Sequence, residues 1–372
     1  MNERPPYRAD HVGSLLRPQS LLSARAQYAA GEIDAETLRT VEDDAIRDVV
    51  AMQRDAGLRT ATDGEFRRAS WHMDFIYQLG GINRAEGEIE VHFENADGSL
   101  DFTSAALVVD APVGLPETIF ADDLRFLLET VEDTGQVAKM TMPSPNMVHY
   151  RGGSASLDRS VYPQDELFWD DLTAAYAQQL RGLYDLGCRY VQLDDVSLAY
   201  LNDPQQRQMV TERGGDADHL HTDYIRYLNA AIRDRPDDLV VTTHLCRGNY
   251  RSSWAASGGY DFVAEELFGD LEVDGFFLEY DDERSGSFEP LRYVPQGKKV
   301  VLGLVTTKRG ELEDADDIKR RIEEASRYVP LEQLCLSPQC GFSSTVEGNA
   351  LTHDEQRAKL ELVVDVAEDV WG

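Results

Sequence analysis

Lysine is scarce in this chain. There are six in 372 residues, so arginine carries most of the positive charge, and 36 Lys and Arg stand against 68 Asp and Glu. The formal net charge of -32 lacks the basic footprint that nucleic acid or an anionic membrane surface requires. We read the acidity as a solubility device. Long apolar runs are missing too: none approaches the roughly 18 residues needed to span a bilayer. The opening MNERPPYRADHVGS has no apolar h-region of a signal peptide. A soluble, cytoplasmic protein is expected, with no nucleic-acid partner and no membrane partner. Cysteine is sparse. Cys188, Cys246, Cys335 and Cys340 are unclustered, which excludes a disulfide framework and leaves buried hydrophobes, metal ligands or catalytic thiols. Internal repeats and low-complexity tracts are absent, which excludes repeat architectures.

What is present is alternation. Eight short β-like runs occur at 7–14, 58–65, 137–145, 189–195, 239–246, 275–281, 299–308 and 333–340, each followed by a plausible helix. Within 165–187, Leu172, Ala175, Tyr176, Leu180, Leu183 and Tyr184 recur at helical spacing, and Gly187 closes the helix. The last helix, about 352–370, opens on Thr352 as N-cap with acidic residues in its first turn. Strand–helix alternation of this kind predicts an α/β fold, a (β/α)8 TIM barrel forming a single catalytic domain over 1–372. One stretch interrupts it. Residues 86–120 alternate with period two around Asn95-Ala96-Asp97-Gly98, which predicts an antiparallel hairpin inserted after the second strand. It is open to two readings, a cap on the barrel or a homodimer contact. The polar stretch 202–222 reads as a long loop.

In such a barrel the C-terminal strand ends face one another across the active site. The runs end in Ser14, Glu65, Pro143-Ser144-Pro145, Asp194-Asp195, His244 with Cys246, Glu279, Lys308 and Cys340. Strands buried on both faces are normally apolar throughout, so polar ends need a reason, and convergence on one site supplies it. Side chains two apart on a strand share a face, so His244 and Cys246 can bind one ion. With Cys340 and Glu279 they give one nitrogen, two thiolates and one carboxylate, which match zinc in type and number. Ligands from three separate strand ends, one of them a replaceable carboxylate, favour a catalytic Zn2+ over a structural one. Two thiolates donate charge to the ion, which suits activation of a thiol better than activation of water. Cys335, five before Cys340 and on the opposite face, reads as core, as does Cys188. His219 and His221 fall in the expected loop and read as bystanders.

The segments HVGSLLRP, DGEFRR, VQLDD, HLCRGN, FFLEYDDERSG and SPQCGF, in this order and spacing, resemble the cobalamin-independent methionine synthase family. The likeness covers nearly the whole chain and is to the C-terminal catalytic barrel, in its short single-barrel form. It implies a zinc-dependent methyltransferase that methylates homocysteine to methionine, with His244, Cys246, Glu279 and Cys340 as metal ligands. The glutamate would yield its place to the incoming thiol. The amino-acid part of homocysteine would lie on Val12, Gly13 and Ser14, with Glu65 and Asp194 on its ammonium; two carboxylates suit that charge. Asp194 and Lys308 are the candidate catalytic residues. Lys308 stands near the slot of the family's proton-donating histidine, as an acid or an anion contact. Pro143-Ser144-Pro145 replaces a Thr-Gly-Pro that helps seat the folate. The methyl donor is then a methyltetrahydrofolate or a methyl-corrinoid protein. An alternative keeps the zinc and alkylates another thiol, as in epoxyalkane:coenzyme M transfer. Glu65 and Asp194 argue for an ammonium-bearing thiol, whereas Lys308, Arg67 and Arg68 would suit a sulfonate. A third reading is a non-catalytic barrel with a structural zinc. Trp71 and His72 are placed to line the mouth or to pack in a loop, and Asp195 to orient Asp194.

Overall fold

The computed structural model describes residues 4–95 and 98–372, with the backbone alone described at 86–90 and 101–105. Among the described residues there are ten strands: β1 (Thr60–Ala61), β2 (Gly80–Asn95), β3 (Gly98–Gly114), β4 (Val137–Ala138), β5 (Met140–Pro143), β6 (Tyr190–Asp195), β7 (Val240–Leu245), β8 (Gly275–Glu279), β9 (Lys299–Val305) and β10 (Leu334–Pro338). Strands β5 to β10 form one parallel sheet in sequence order. They are buried almost throughout, as apolar strands flanked by helices must be. The third expected run continues outward through Lys139, whose N–H donates to the Ala61 carbonyl, and through β4, which pairs with β1. At the other edge Ala9 bridges Leu336 of β10 in parallel. The Leu15 N–H donates to the Gly64 carbonyl and links the first two runs. All eight runs are therefore neighbours in chain order, the arrangement of a (β/α)8 barrel.

The first two runs are less regular than expected. Run 7–14 makes a single bridge and run 58–65 a two-residue strand. Gly13 (φ 143°), Gly64 (φ 67°) and Glu65 (φ 62°) adopt left-handed backbone there, which breaks a ladder. The expected loop at 202–222 is corrected. It contains a helix over Pro204–Glu212, capped by the Asp203 side chain with Pro204 in its first turn, and a second helix begins at Leu220. The helix Asp165–Asp185 and the terminal helix His353–Trp371 form where expected, the latter with a complete capping box between Thr352 and Glu355.

The insertion is an antiparallel hairpin of β2 and β3, but it spans Gly80–Gly114 rather than 86–120. Residues 121–131 are helical instead. Two residues of the expected turn, Ala96 and Asp97, lie outside the described residues. The hairpin docks on its own barrel. Glu94 exchanges backbone hydrogen bonds with Trp254, and the Asn95 amide donates to the Ser253 hydroxyl. Val91 and Phe93 turn inward, while His92 and Glu94 face out, as the period of two requires. Among the described residues, no helix is long and apolar enough to cross a membrane.

Candidate metal centre

Parallel register builds the site. Asp194 of β6 stands opposite His244 of β7, and His244 opposite Phe277 of β8. Residues in register on adjacent strands point the same way, so Asp194 and His244 share a face by construction. Cys246 follows two residues later, past the end of β7. Cys340 reaches the same point from beyond β10. The ligand atoms of His244, Cys246 and Cys340 all lie within 4.8 Å of one another, and all three residues are buried.

Cys246 Sγ and Cys340 Sγ are 3.4 Å apart as free thiols. The neighbouring Cys246 thiol holds the Cys340 thiol well below its ordinary range, and His244 adds to this against the opposing effect of burial. Cys246 is correspondingly pushed up by Cys340 and by burial. The two sulfurs thus share one proton, and a cation would replace it. Both ring nitrogens of His244 are buried without a hydrogen-bond partner. A buried imidazole lacking partners beside two thiols that share a proton is an unsatisfied donor set, and it fits a divalent, sulfur-tolerant ion.

Glu279 is not brought into this trio. Its buried carboxylate accepts from Arg284 Nη2 at 2.7 Å, Lys308 Nζ at 3.2 Å and the Arg247 N–H at 2.7 Å. Burial alone would raise this carboxyl, but the charges of Lys308, Arg284 and Arg247 hold it well below the usual range. Lys308 also pairs with Asp281 at 2.9 Å. Two carboxylates outweigh burial and keep its ammonium charged, above the ordinary lysine value. An ammonium held in this way is a poor proton donor at neutral pH. Lys308 thus sits beside Glu279 and Asp281 as their counter-charge. Arg247 is fully buried and ties the ends of β7 and β8 together, donating to the Glu279 and Gly258 carbonyls.

A cavity of about 190 Å³ opens over the trio, lined among others by Val12, Ser14, Glu65, Asp194, His244, Cys246 and Cys340. Five strand ends named from the sequence thus meet on one cavity. Gly13 lies just beneath. A Cβ there would stand 2.6 Å from the Thr141 methyl, and its φ of 143° disfavours any side chain. Gly13→Ala is expected to lower stability by about 1–3 kcal/mol and to displace Glu65, as read by thermal melting and substrate affinity.

Glu65 is 3% exposed, accepts from the Thr141 hydroxyl at 2.7 Å and faces Arg68 at 3.5 Å. Burial raises its carboxyl, against the pull of Arg68. Asp194 accepts from Gln192 at 2.7 Å. Burial pushes it up to about 7, with His244 opposing and Glu65 adding. Two carboxyls that resist ionisation in the same cavity favour a cationic ligand. Asp195 also borders the cavity, and its carboxylate accepts from Ser144, Asn146 and Ser197, so it pins the loops after β5 and β6.

Of the further candidates, Arg67 faces outward onto Glu42, Asp43 and Asp123, and Arg68 inward onto Glu65 and Thr141. Trp71 and His72 do line the cavity. His219 is exposed and bound to Asp216, and His221 is buried in a helix, both away from the trio. Cys188 and Cys335 are core. Cys335 is corrected in one respect. It packs on Val12, Phe277 and Val301, in a row that continues from His244, because a register shift between Ser337 and Pro338 breaks the parity between positions 335 and 340. Sequence reasoning missed Phe93, Arg151, Tyr200 and Tyr250 in the cavity wall and Arg284 on Glu279. Arg284 lies in the quoted FFLEYDDERSG segment and was legible there as an unassigned charge.

Residues 9–369 match the family described as cobalamin-independent synthase, catalytic domain. YxjG of Bacillus subtilis (strain 168), itself uncharacterized, is 48% identical over 371 residues, covering 99% of this chain and 96% of that protein. The methionine synthase of Pyrococcus abyssi is 24% identical over 340 residues, covering 91% and 87%. A crystal structure from Listeria monocytogenes, of a candidate vitamin-B12 independent methionine synthase, superposes with TM-score 0.79 at 40% identity over 100% of both chains. The B12-independent methionine synthase of Shewanella sp. W3-18-1, solved with selenomethionine, shares the fold at TM-score 0.71 and 21% identity, over 98% and 97% of the two chains. A chain matched end to end by the family model, and by relatives of this identity, belongs to the cobalamin-independent synthase catalytic-domain family.

Proposed function

We propose that this protein is a zinc-dependent thiol S-methyltransferase whose acceptor is homocysteine and whose product is methionine. The observation that carries this reading is the convergence of His244, Cys246 and Cys340 with Ser14, Glu65 and Asp194 on one cavity. A zinc ion on the three ligands would supply a Lewis acid that keeps the substrate sulfur as thiolate near neutral pH. The rest is the work of this chain. Glu65 and Asp194 take the ammonium. The Ser14 hydroxyl and the backbone around Val12 and Gly13 take the carboxylate. The buried walls exclude water, and the cavity orients acceptor against donor, which supplies much of the rate advantage. The thiolate then forms the new S–CH3 bond as the donor's bond to that methyl breaks with its electron pair.

Glu279 is the replaceable fourth ligand in this reading, and Lys308 with Arg284 draws it away from the trio. Lys308→Met is expected to free the carboxylate toward the ion. Metal should then bind about tenfold tighter in chelator competition, and homocysteine about tenfold more weakly. Unchanged values for both would remove Lys308 from this role. The three cations named for the sulfonate-thiol alternative, Lys308, Arg67 and Arg68, are all engaged by carboxylates of the protein.

Zinc K-edge absorption on the zinc-loaded protein, with and without L-homocysteine, tests the function. Gain of one sulfur neighbour and loss of one oxygen or nitrogen neighbour is expected. A response to mercaptoethanesulfonate instead would favour the alternative, and no response to either thiol would sink the enzymatic reading.

A further inference from the structure

One cation at the mouth makes no ion pair among the described residues. Arg151 follows the short helix Asn146–Tyr150 beyond β5, and among the described residues its guanidinium makes no hydrogen bond or ion pair. Its Nε is fully buried and unsatisfied. Arg151 is half-buried, whereas the fully buried arginines Arg17, Arg68 and Arg247 are all hydrogen-bonded.

Beside it stands His72, 6% exposed, with an unsatisfied Nε2. The Ser70 oxygen accepts from the Met73 N–H at 3.2 Å and lies 3.1 Å from His72 Nδ1. When the Ser70 O–H donates to Nδ1, the ring proton lies on Nε2. Burial and then the Arg151 charge hold the ring neutral, with a pKa lowered to about 3. In that tautomer Arg151 Nε and His72 Nε2 are two buried N–H donors without an acceptor among the described residues, and such groups ask for a ligand that accepts.

Their position says which ligand. Arg151 and Tyr200 line both the thiol cavity and a second cavity of about 180 Å³, bounded by Val91, Glu94 and Trp254 under the hairpin. The acceptor thiol's amino-acid groups are already assigned to Ser14, Glu65 and Asp194. We propose that Arg151 and His72 form an oxyanion-binding subsite for the second substrate, so the alkyl donor carries a carboxylate, phosphate or sulfonate that seats there. The donor assignment rests on the methyl-transfer reading above, whereas the oxyanion subsite does not.

Calorimetric titration of the zinc-loaded protein with glutarate, inorganic phosphate and methanesulfonate tests it. At least one probe is expected to bind saturably, and the chemistry that binds best names the donor's anion. Arg151→Ala should weaken that binding roughly 10- to 100-fold, Arg151→Lys should restore part of it, and His72→Phe, which keeps the packing on Trp71, should weaken it roughly tenfold. No binding by the parent protein, or equal affinity in Arg151→Ala, overturns the subsite. Competition by homocysteine would assign the subsite to the acceptor and overturn the donor claim. Probe binding that depends on Arg151, in a protein whose zinc gains no sulfur from homocysteine, would leave the subsite standing and remove the methyl-transfer reading alone.

Discussion

Cys340→Ser is expected to lose most of its bound metal and all thiol alkylation. The serine hydroxyl stays protonated where the thiol is already biased toward thiolate by Cys246 and His244. Affinity should fall by roughly two orders of magnitude or more, since changes beyond the ligands alone cost 10- to 100-fold. Equilibrium dialysis of zinc against a chelator reads this directly. The fold should survive, because Cys340 lies in the mouth, beyond the end of β10. Full activity in a variant that holds no metal would overturn the metal assignment.

Asp194→Asn is expected to keep the metal and lose the amino acid. Removing one carboxylate from a buried ammonium pocket should weaken homocysteine roughly 100-fold at pH 8. The variant should also separate stability from function. Asp194 is pushed up to about 7 by burial, so its folded value lies above the unfolded one. A raised carboxyl favours folding most at low pH, and that contribution is lost as pH rises toward 7. Above it, the ligand-free protein holds a buried charge that lacks its ammonium. Asp194→Asn should therefore melt higher than the parent at pH 8, by about 1–3 kcal/mol, and nearly level with it only below about pH 4, where the carboxyl is protonated in both folded and unfolded chains. Affinity of the parent for homocysteine should rise with pH through 7, with protons released on binding in calorimetry across buffers. An unchanged affinity in the variant would remove Asp194 from the pocket.

Local patterns foretold much of the site. His244 and Cys246 announce themselves by their spacing on one strand, and Asp194 by its place at the end of an apolar run. Polar residues at the ends of buried strands are costly unless they converge on something, and here five of the strand ends do. Glu279 was legible as a polar strand end, but its present partners were not. Arg284 and Lys308 reach it from 5 and 29 residues away, through loops whose path no periodicity encodes. The face of Cys335 was misjudged for a related reason. Counting by twos assumes an unbroken ladder, and the shift after Ser337 breaks it. The loop at 202–222 was misjudged because polar composition outweighed the Asp203-Pro204 start signal.

The hairpin shows the division most clearly. Its alternation was plain in the sequence, and so was its place after the second strand. Alternation says that one face is buried, but not against what. Only the tertiary structure lays Phe93 against Tyr250 at 5.4 Å in the cavity wall, with the strand end paired to Trp254. Arg151 belongs to the same class: one arginine among 30 in the sequence, distinguished by lying in the cavity wall without a hydrogen bond or ion pair among the described residues. The sequence by itself determined the alternating α/β architecture and the donor atoms of the metal trio, because strand period and ligand chemistry are local. The tertiary structure decided which charges are satisfied and which are left for a ligand, because pairing depends on through-space distances of a few ångströms between residues far apart in the chain.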